Sequence, residues 1–250
     1  MAYAWCPAPP LPAPHASALA EALVSLDGRP DLLAVLLAGS VVRGTGGPTS
    51  DLDLFCLIDA DLRQRRHLVA GSGVLVEMFL NPAYQVLRYL DEERRENRPS
   101  AATMLVTGTV LLDRRPEVLA GLRAAARDLL AAGPDPLVGA ARERALYVVR
   151  DCYEDACDAA VSGTPALLPL VQCAVRAVSL HHALHRHWEP KTKNLAADLP
   201  TWDARAAALL AAFAGAPCLQ TLRALLSYVL AEDGGLPIRS FDGPAEPLRP

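Results

Sequence analysis

Asp51 and Asp53 stand one residue apart in "SDLDLFCLID", and Glu77 lies in the middle of "GVLVEMFLNP". Alternate residues of a strand project from the same face. Read as a strand, the first segment therefore shows two carboxylates on one side. Two unpaired carboxylates at that spacing repel and resist burial. A divalent cation removes the penalty, because Mg²⁺ is commonly held by one or two protein carboxylates together with phosphate oxygens. Glu77 adds a third carboxylate if its strand lies beside that of Asp53. Upstream, Gly39-Ser40 closes an apolar run. Backbone N–H groups and a hydroxyl at such a turn can hold a phosphate.

Elements must hold these residues in place. "DLLAVLLAG" reads as a buried strand, and "SVVRGTGGPTS" as a loop, with or without a short opening helix, given its three glycines and a proline. His15 to Ser25 has helical spacing. "DLRQRRHLVA" reads as mixed helix or loop, and "PAYQVLRYLDEERRENRPS" as an amphipathic helix ending in a solvated charged run. "AATMLVTGTVLLDRR" reads as a helix end, a turn and a strand, and Pro116 opens a further helix. The pattern changes at Gly133 to Pro136. Beyond it the periodicity is helical over 137–162, 165–188, 203–214 and 217–232, and the tail from 237 on reads as loose. The expected layout is an extended arm over 1–14, an α/β domain over 15–132 and a helical domain over 133–250. The fold class is α+β, a mixed β-sheet flanked by helices followed by an all-helical C-terminal bundle.

Composition narrows the partners. The 250 residues carry a net charge of −4 and are 52% apolar. That supports a sizeable core and argues against long nucleic acid as a partner. Small anions need only a local positive site. The six cysteines form no C-x-x-C pair, which suits reduced, mostly buried thiols and a cytoplasmic location. No run of about 18 apolar residues lacks a charge, so no membrane span is expected.

Gly39-Ser40, ten residues, then "DLD", then a later carboxylate resembles the nucleotidyltransferase superfamily built on the polymerase-beta-like core. "GSVVRG…SDLDLF" and "GTVLLDRRPEVLAGL" look like its antibiotic (aminoglycoside and lincosamide) branch. The resemblance implies that Asp51, Asp53 and Glu77 are catalytic and hold Mg²⁺ or Mn²⁺, with Glu77 as ligand or base. It implies that Gly39, Ser40, Arg43 and Ser50 meet the phosphates of a nucleoside triphosphate, ATP first. "HWEPKTKNL" is similar to a W-x-P-x-x-K turn that brings a lysine to the triphosphate, which points to Lys193 and its neighbour Lys191. These are the only lysines in the chain. Asp151 and Glu154 are implied as an acceptor-side base. Asp151, Asp155 and Asp158 share a helix face that is either solvated or attracts a cationic acceptor. His181 and His185 share another face. A zinc site there lacks a third ligand at motif spacing, and surface or partly buried imidazoles are expected instead.

The activity implied is Mg²⁺-dependent transfer of a nucleoside monophosphate, AMP from ATP, to a hydroxyl of a small molecule such as an aminoglycoside or lincosamide. Two alternatives stand beside it, an antitoxin-like enzyme that attaches AMP to a protein and a catalytically idle nucleotide-binding module. The sequence leaves a homodimer open.

Overall fold

In the computed structural model, residues 3–236 are described; the tail expected to be loose lies outside them. The chain divides into two compact units, Met1–Gly133 and Pro134–Pro250.

The first unit is built on a five-stranded sheet. Its strands are β1 (Leu32–Ala38), β2 (Leu52–Ile58), β3 (Gln64–Val69), β4 (Leu75–Pro82) and β5 (Thr109–Asp113), in the order β3-β4-β2-β1-β5. β1 is antiparallel to β2 and β5, β2 is parallel to β4, and β3 is antiparallel to β4. The sheet is therefore mixed, and the α+β class stands.

The central strands are apolar along nearly their whole length because both of their faces are covered. On one face, Ala18, Leu19, Ala22 and Leu26 of helix α1 (Ala13–Leu26) pack against Leu32, Val35, Leu37, Leu54, Met78 and Leu80. The other face carries Ala34, Leu36, Phe55 and Leu57. It is covered by three helices, α3 (Val86–Glu96), α4 (Ser100–Thr107) and α5 (Pro116–Ala132), through Tyr89, Leu90, Leu105, Leu119 and Leu122. The four-residue helix α2 (Gly39–Val42) follows β1 directly. The N-terminal arm is tied down: the Cys6 N–H donates to the Leu111 carbonyl at 2.7 Å, and Tyr3 and Trp5 pack on the α1 side of the core.

One element departs from the sequence reading. Residues 64–69, expected as helix or loop, form the edge strand β3. Only an edge strand keeps so many polar residues, since one of its sides meets no neighbour and both faces stay largely exposed.

The second unit is helical, with α6 (Gly139–Ser162), α7 (Leu167–Leu184), α8 (Leu195–Asp198), α9 (Ala204–Gly215) and α10 (Leu219–Val229) around one apolar cluster. By length and composition α7 could cross a membrane, but 44% of it is buried inside this unit, and it carries Arg176 and the buried His181 and His182. His181, expected at the surface or partly buried, is 2% exposed, and its neighbour His182 is fully buried. His181 Nε2 lies 2.8 Å from Asp203 Oδ2, and His182 Nε2 lies 3.0 Å from Asp198 Oδ2. Each pins α7 to the segment that follows it. Asp203 also accepts from the N–H groups of Arg205 and Ala206, capping α9.

Candidate metal and nucleotide site

Asp53 is the second residue of β2, opposite Ala38 at the end of β1 and opposite Glu77 of β4. Pairing across β2 and β4 makes Asp53 and Glu77 neighbours on the same face, and Asp51 precedes them by one pleat. Ligand oxygens of Asp51, Asp53 and Glu77 all lie within 4.8 Å of one another. Farther along β2 the same face carries Phe55 and Leu57, which helices α3 to α5 cover. The acidic row therefore stands where that apolar layer stops. Asp53 is 5% exposed, and Asp51 and Glu77 are half-buried.

A divalent cation suits this donor set. The donors are all hard oxygens, and oxygens on opposite sides of one Mg²⁺ stand about 4 Å apart. Small side-chain adjustments would close the three carboxylates on an ion.

Gly39 explains how the phosphate turn and the acidic row fit together. Its φ is +89°, and a Cβ added there would overlap Oδ2 of Asp53 and stand 3.1 Å from its carboxyl carbon. Only glycine permits both the backbone angle and the close approach. Ser40 follows, half-buried, and its hydroxyl donates to Ser50 Oγ at 3.3 Å. Ser50 Oγ also accepts from the Gly47 N–H at 2.9 Å. The loop between β1 and β2 is thus folded back on itself beside Asp51. Arg43 is exposed at the C-terminal end of α2.

Two residues that the sequence reading passed over touch this row. His67, on β3, is paired with Glu77 across the sheet, with Nε2 3.1 Å from Glu77 Oε1. His15, 5% exposed on α1, places Nε2 2.9 Å from the Ser50 carbonyl and so holds the backbone just before Asp51. The segment offered little signal for β3, since Gln64, Arg65, Arg66 and His67 are polar on both faces. Nothing local marks His15, because its partner lies 35 positions away.

The remaining expected residues lie in the second unit. Lys191 and Lys193 are exposed at a single turn of 3₁₀ helix, Thr192–Asn194. Asp151, Asp155 and Asp158 are exposed along α6, and Glu154 pairs with Arg150 at 2.5 Å. A cavity of about 270 Å³ is lined there by Arg142, His181, His185, Asp203, Tyr228 and Asp233, among others. Much of its polar lining is paired internally, His181 and Tyr228 to Asp203 and Arg142 to Asp233. No cluster of metal-ligating groups occurs among its described residues. Burial holds the His181 imidazole below its ordinary pKa. Burial also works against ionisation of Asp203, but hydrogen bonds from the Ala206 N–H, His181 and Tyr228 outweigh it and leave that carboxyl below its usual range.

The cysteines follow their surroundings. Burial pushes the Cys56 and Cys173 thiols up to about 12. All six are free, and Cys6 and Cys218 are exposed.

Residues 17–99 match the family model described as "Nucleotidyltransferase domain". The match runs from α1 through β4 to the end of α3 and includes Gly39, Ser40, Asp51, Asp53 and Glu77. It supports the nucleotidyltransferase superfamily and transferase activity in the broad sense. No curated protein matches the chain. Among solved structures, the chain is similar to a nucleotidyltransferase-like protein from Exiguobacterium sibiricum 255-15, with 12% identity over 88% of this chain and 75% of that one, and a TM-score of 0.47.

Proposed function

We propose, from the nucleotidyltransferase-domain match over 17–99, that the chain transfers a nucleoside monophosphate, AMP from ATP, to a hydroxyl of a small molecule. The observation that carries this reading is the convergence of the Asp51, Asp53 and Glu77 carboxylates beside Gly39-Ser40. Mg²⁺ or Mn²⁺ held by those three residues would offset phosphate charge and stabilise the attacking and leaving oxygens of an in-line displacement.

The chain's own groups do the rest. The Ser40 hydroxyl and the N–H groups of the loop after Gly39 face the phosphates, and the Arg43 guanidinium is suited to a phosphate oxygen pair. The acceptor oxygen bonds to the α-phosphorus as the bond to the β-phosphate oxygen breaks, and the electron pair leaves with pyrophosphate. The hydroxyl proton passes to Glu77, the carboxylate whose other contact is His67. Gly39 keeps the Asp53 carboxylate against the turn. Lys191 and Lys193 are further candidates for the triphosphate, and Asp151 and Glu154 for the acceptor. The acceptor panel is a set of hydroxyl-bearing small molecules of differing charge, aminoglycosides and lincosamides among them.

The test is pyrophosphate release from each of the four nucleoside triphosphates with Mg²⁺, with and without an acceptor panel, for the wild type and for Asp53→Asn. Acceptor-dependent release by the wild type, lost in Asp53→Asn at an unchanged Tm, is expected. Wild-type turnover in Asp53→Asn with unchanged stability sinks the assignment of the metal site.

A further inference from the structure

The acidic row does not end at Glu77. Asp53, Glu77 and His67 are consecutive partners across β2, β4 and β3, so they form one line on one face. The next line on that face is Phe55, Phe79 and Arg65. The Arg65 guanidinium lies 4.5 Å from the Phe79 ring centroid, and that of Arg63 lies 5.3 Å from the Tyr89 centroid. Both side chains are exposed, and neither forms an ion pair among the described residues. Arg65 is about 7 Å along β3 from His67, two strand residues. The Arg65 guanidinium thus stands one line away from a cluster of three carboxylates, held in place by the aromatic face beneath it, and Arg63 lies a further two residues along, over Tyr89.

The two flanks of the row differ in chemistry. On the β1 side are Gly39, Ser40 and the folded-back loop, the groups suited to phosphates. On the β3 side are His67, Arg65 and Arg63. In-line displacement puts the attacking and leaving oxygens on opposite sides of the reacting phosphorus. If pyrophosphate leaves over the β1 flank, the acceptor hydroxyl must arrive from the β3 flank.

We infer that the β3 flank is the acceptor site, and that its acceptor carries an anionic group, phosphate or carboxylate, bound by Arg65 while the hydroxyl meets Glu77 and His67. This rests on the nucleotidyl-transfer reading and sharpens it. A polycation such as an aminoglycoside would meet like charge on this flank. The transfer is the one already written: the acceptor O–P bond forms, the α–β phosphoanhydride breaks, and the proton goes to Glu77.

Calorimetry on the full chain tests it, with Mg²⁺ and α,β-methylene-ATP present to fill the nucleotide side. The probes are ribose 5-phosphate, ribonate, neutral ribose and kanamycin, titrated into wild type, Arg65→Ala and Arg66→Ala. Arg66 lies on β3 but points to the opposite face, so its removal changes the net charge equally. The expected result is that one of the two anionic sugars binds at least about tenfold more tightly than ribose, the amount one or two charge-assisted hydrogen bonds supply. Which of the two binds more tightly separates phosphate from carboxylate. Arg65→Ala loses that preference and Arg66→Ala keeps it, with affinity for the nucleotide analogue the same in all three proteins. Equal binding of ribose and the anions, a preference for kanamycin, or equal effects of the two substitutions overturns the inference and leaves nucleotidyl transfer standing. A loss of nucleotide affinity in Arg65→Ala assigns that residue to the triphosphate and also overturns it. Absence of Mg²⁺-dependent nucleotide binding in the wild type removes the underlying reading, and this inference with it.

Discussion

Gly39 and Asp53 share a space that neither could keep if Gly39 carried a side chain. The φ of +89° disfavours any L side chain, and the missing Cβ is the room that the carboxylate occupies. Gly39→Ala should therefore act on the metal site before it acts on the fold. The backbone change costs at least about 1 kcal/mol, and the carboxylate must swing away from its partners. A Mn²⁺ titration followed by electron paramagnetic resonance should show affinity falling by more than about tenfold, the loss of one well-placed charged ligand, with Tm lowered by a few degrees. Wild-type Mn²⁺ affinity in Gly39→Ala would mean that Asp53 is not held by this contact.

At the scale of elements, the helical unit is pinned by buried polar pairs as well as by its apolar cluster. α7 meets Asp203, the cap of α9, through His181, and Tyr228 of α10 donates to the same carboxylate at 3.2 Å. Burial lowers the His181 pKa below the ordinary 6.5. As pH falls below that value, the unfolded chain takes up a proton that the folded chain refuses, so stability is lost with acid. Asp203, also lowered, pushes in the same direction at still lower pH, because protonating it unmakes the cap and the pair. Tm should fall between pH 6.5 and 5 in the wild type. His181→Gln should start from a lower Tm at pH 7 and fall less steeply over that window. A flat wild-type profile there would show that the imidazole is not held neutral.

For the molecule as a whole, each unit has its own apolar clusters among the described residues. The two that sandwich the sheet use residues up to Leu130, and the third begins at Leu137. Between them, α5 stops at Gly133, which takes a φ of +76°, and Pro134 follows. A chain of residues 1–133 should accordingly fold alone, with one cooperative thermal transition and retained Mn²⁺ binding, checked by circular dichroism and the same titration. A fragment without cooperative unfolding would show that its core needs the helical unit.

Composition and spacing alone determined much of this protein. Asp51 and Asp53 at a separation of two had to share a strand face, and the continuous apolar runs around them had to be covered on both sides. Both facts come from the two-residue period of a strand, which is local. The helices of the second unit followed from a period that is equally local. Strand order was not local. That Glu77 lies beside Asp53, that His67 continues the row, and that His15 reaches Ser50 all depend on pairings between residues far apart in the chain. Residues 64–69 show the cost of reading locally, because an edge strand with two exposed faces has lost the alternation that marks a strand. The buried His181 and His182 show the same thing from the other side: their burial is tolerated only because Asp203 and Asp198 come to meet them, and no spacing along one helix reveals a carboxylate delivered by the next segment.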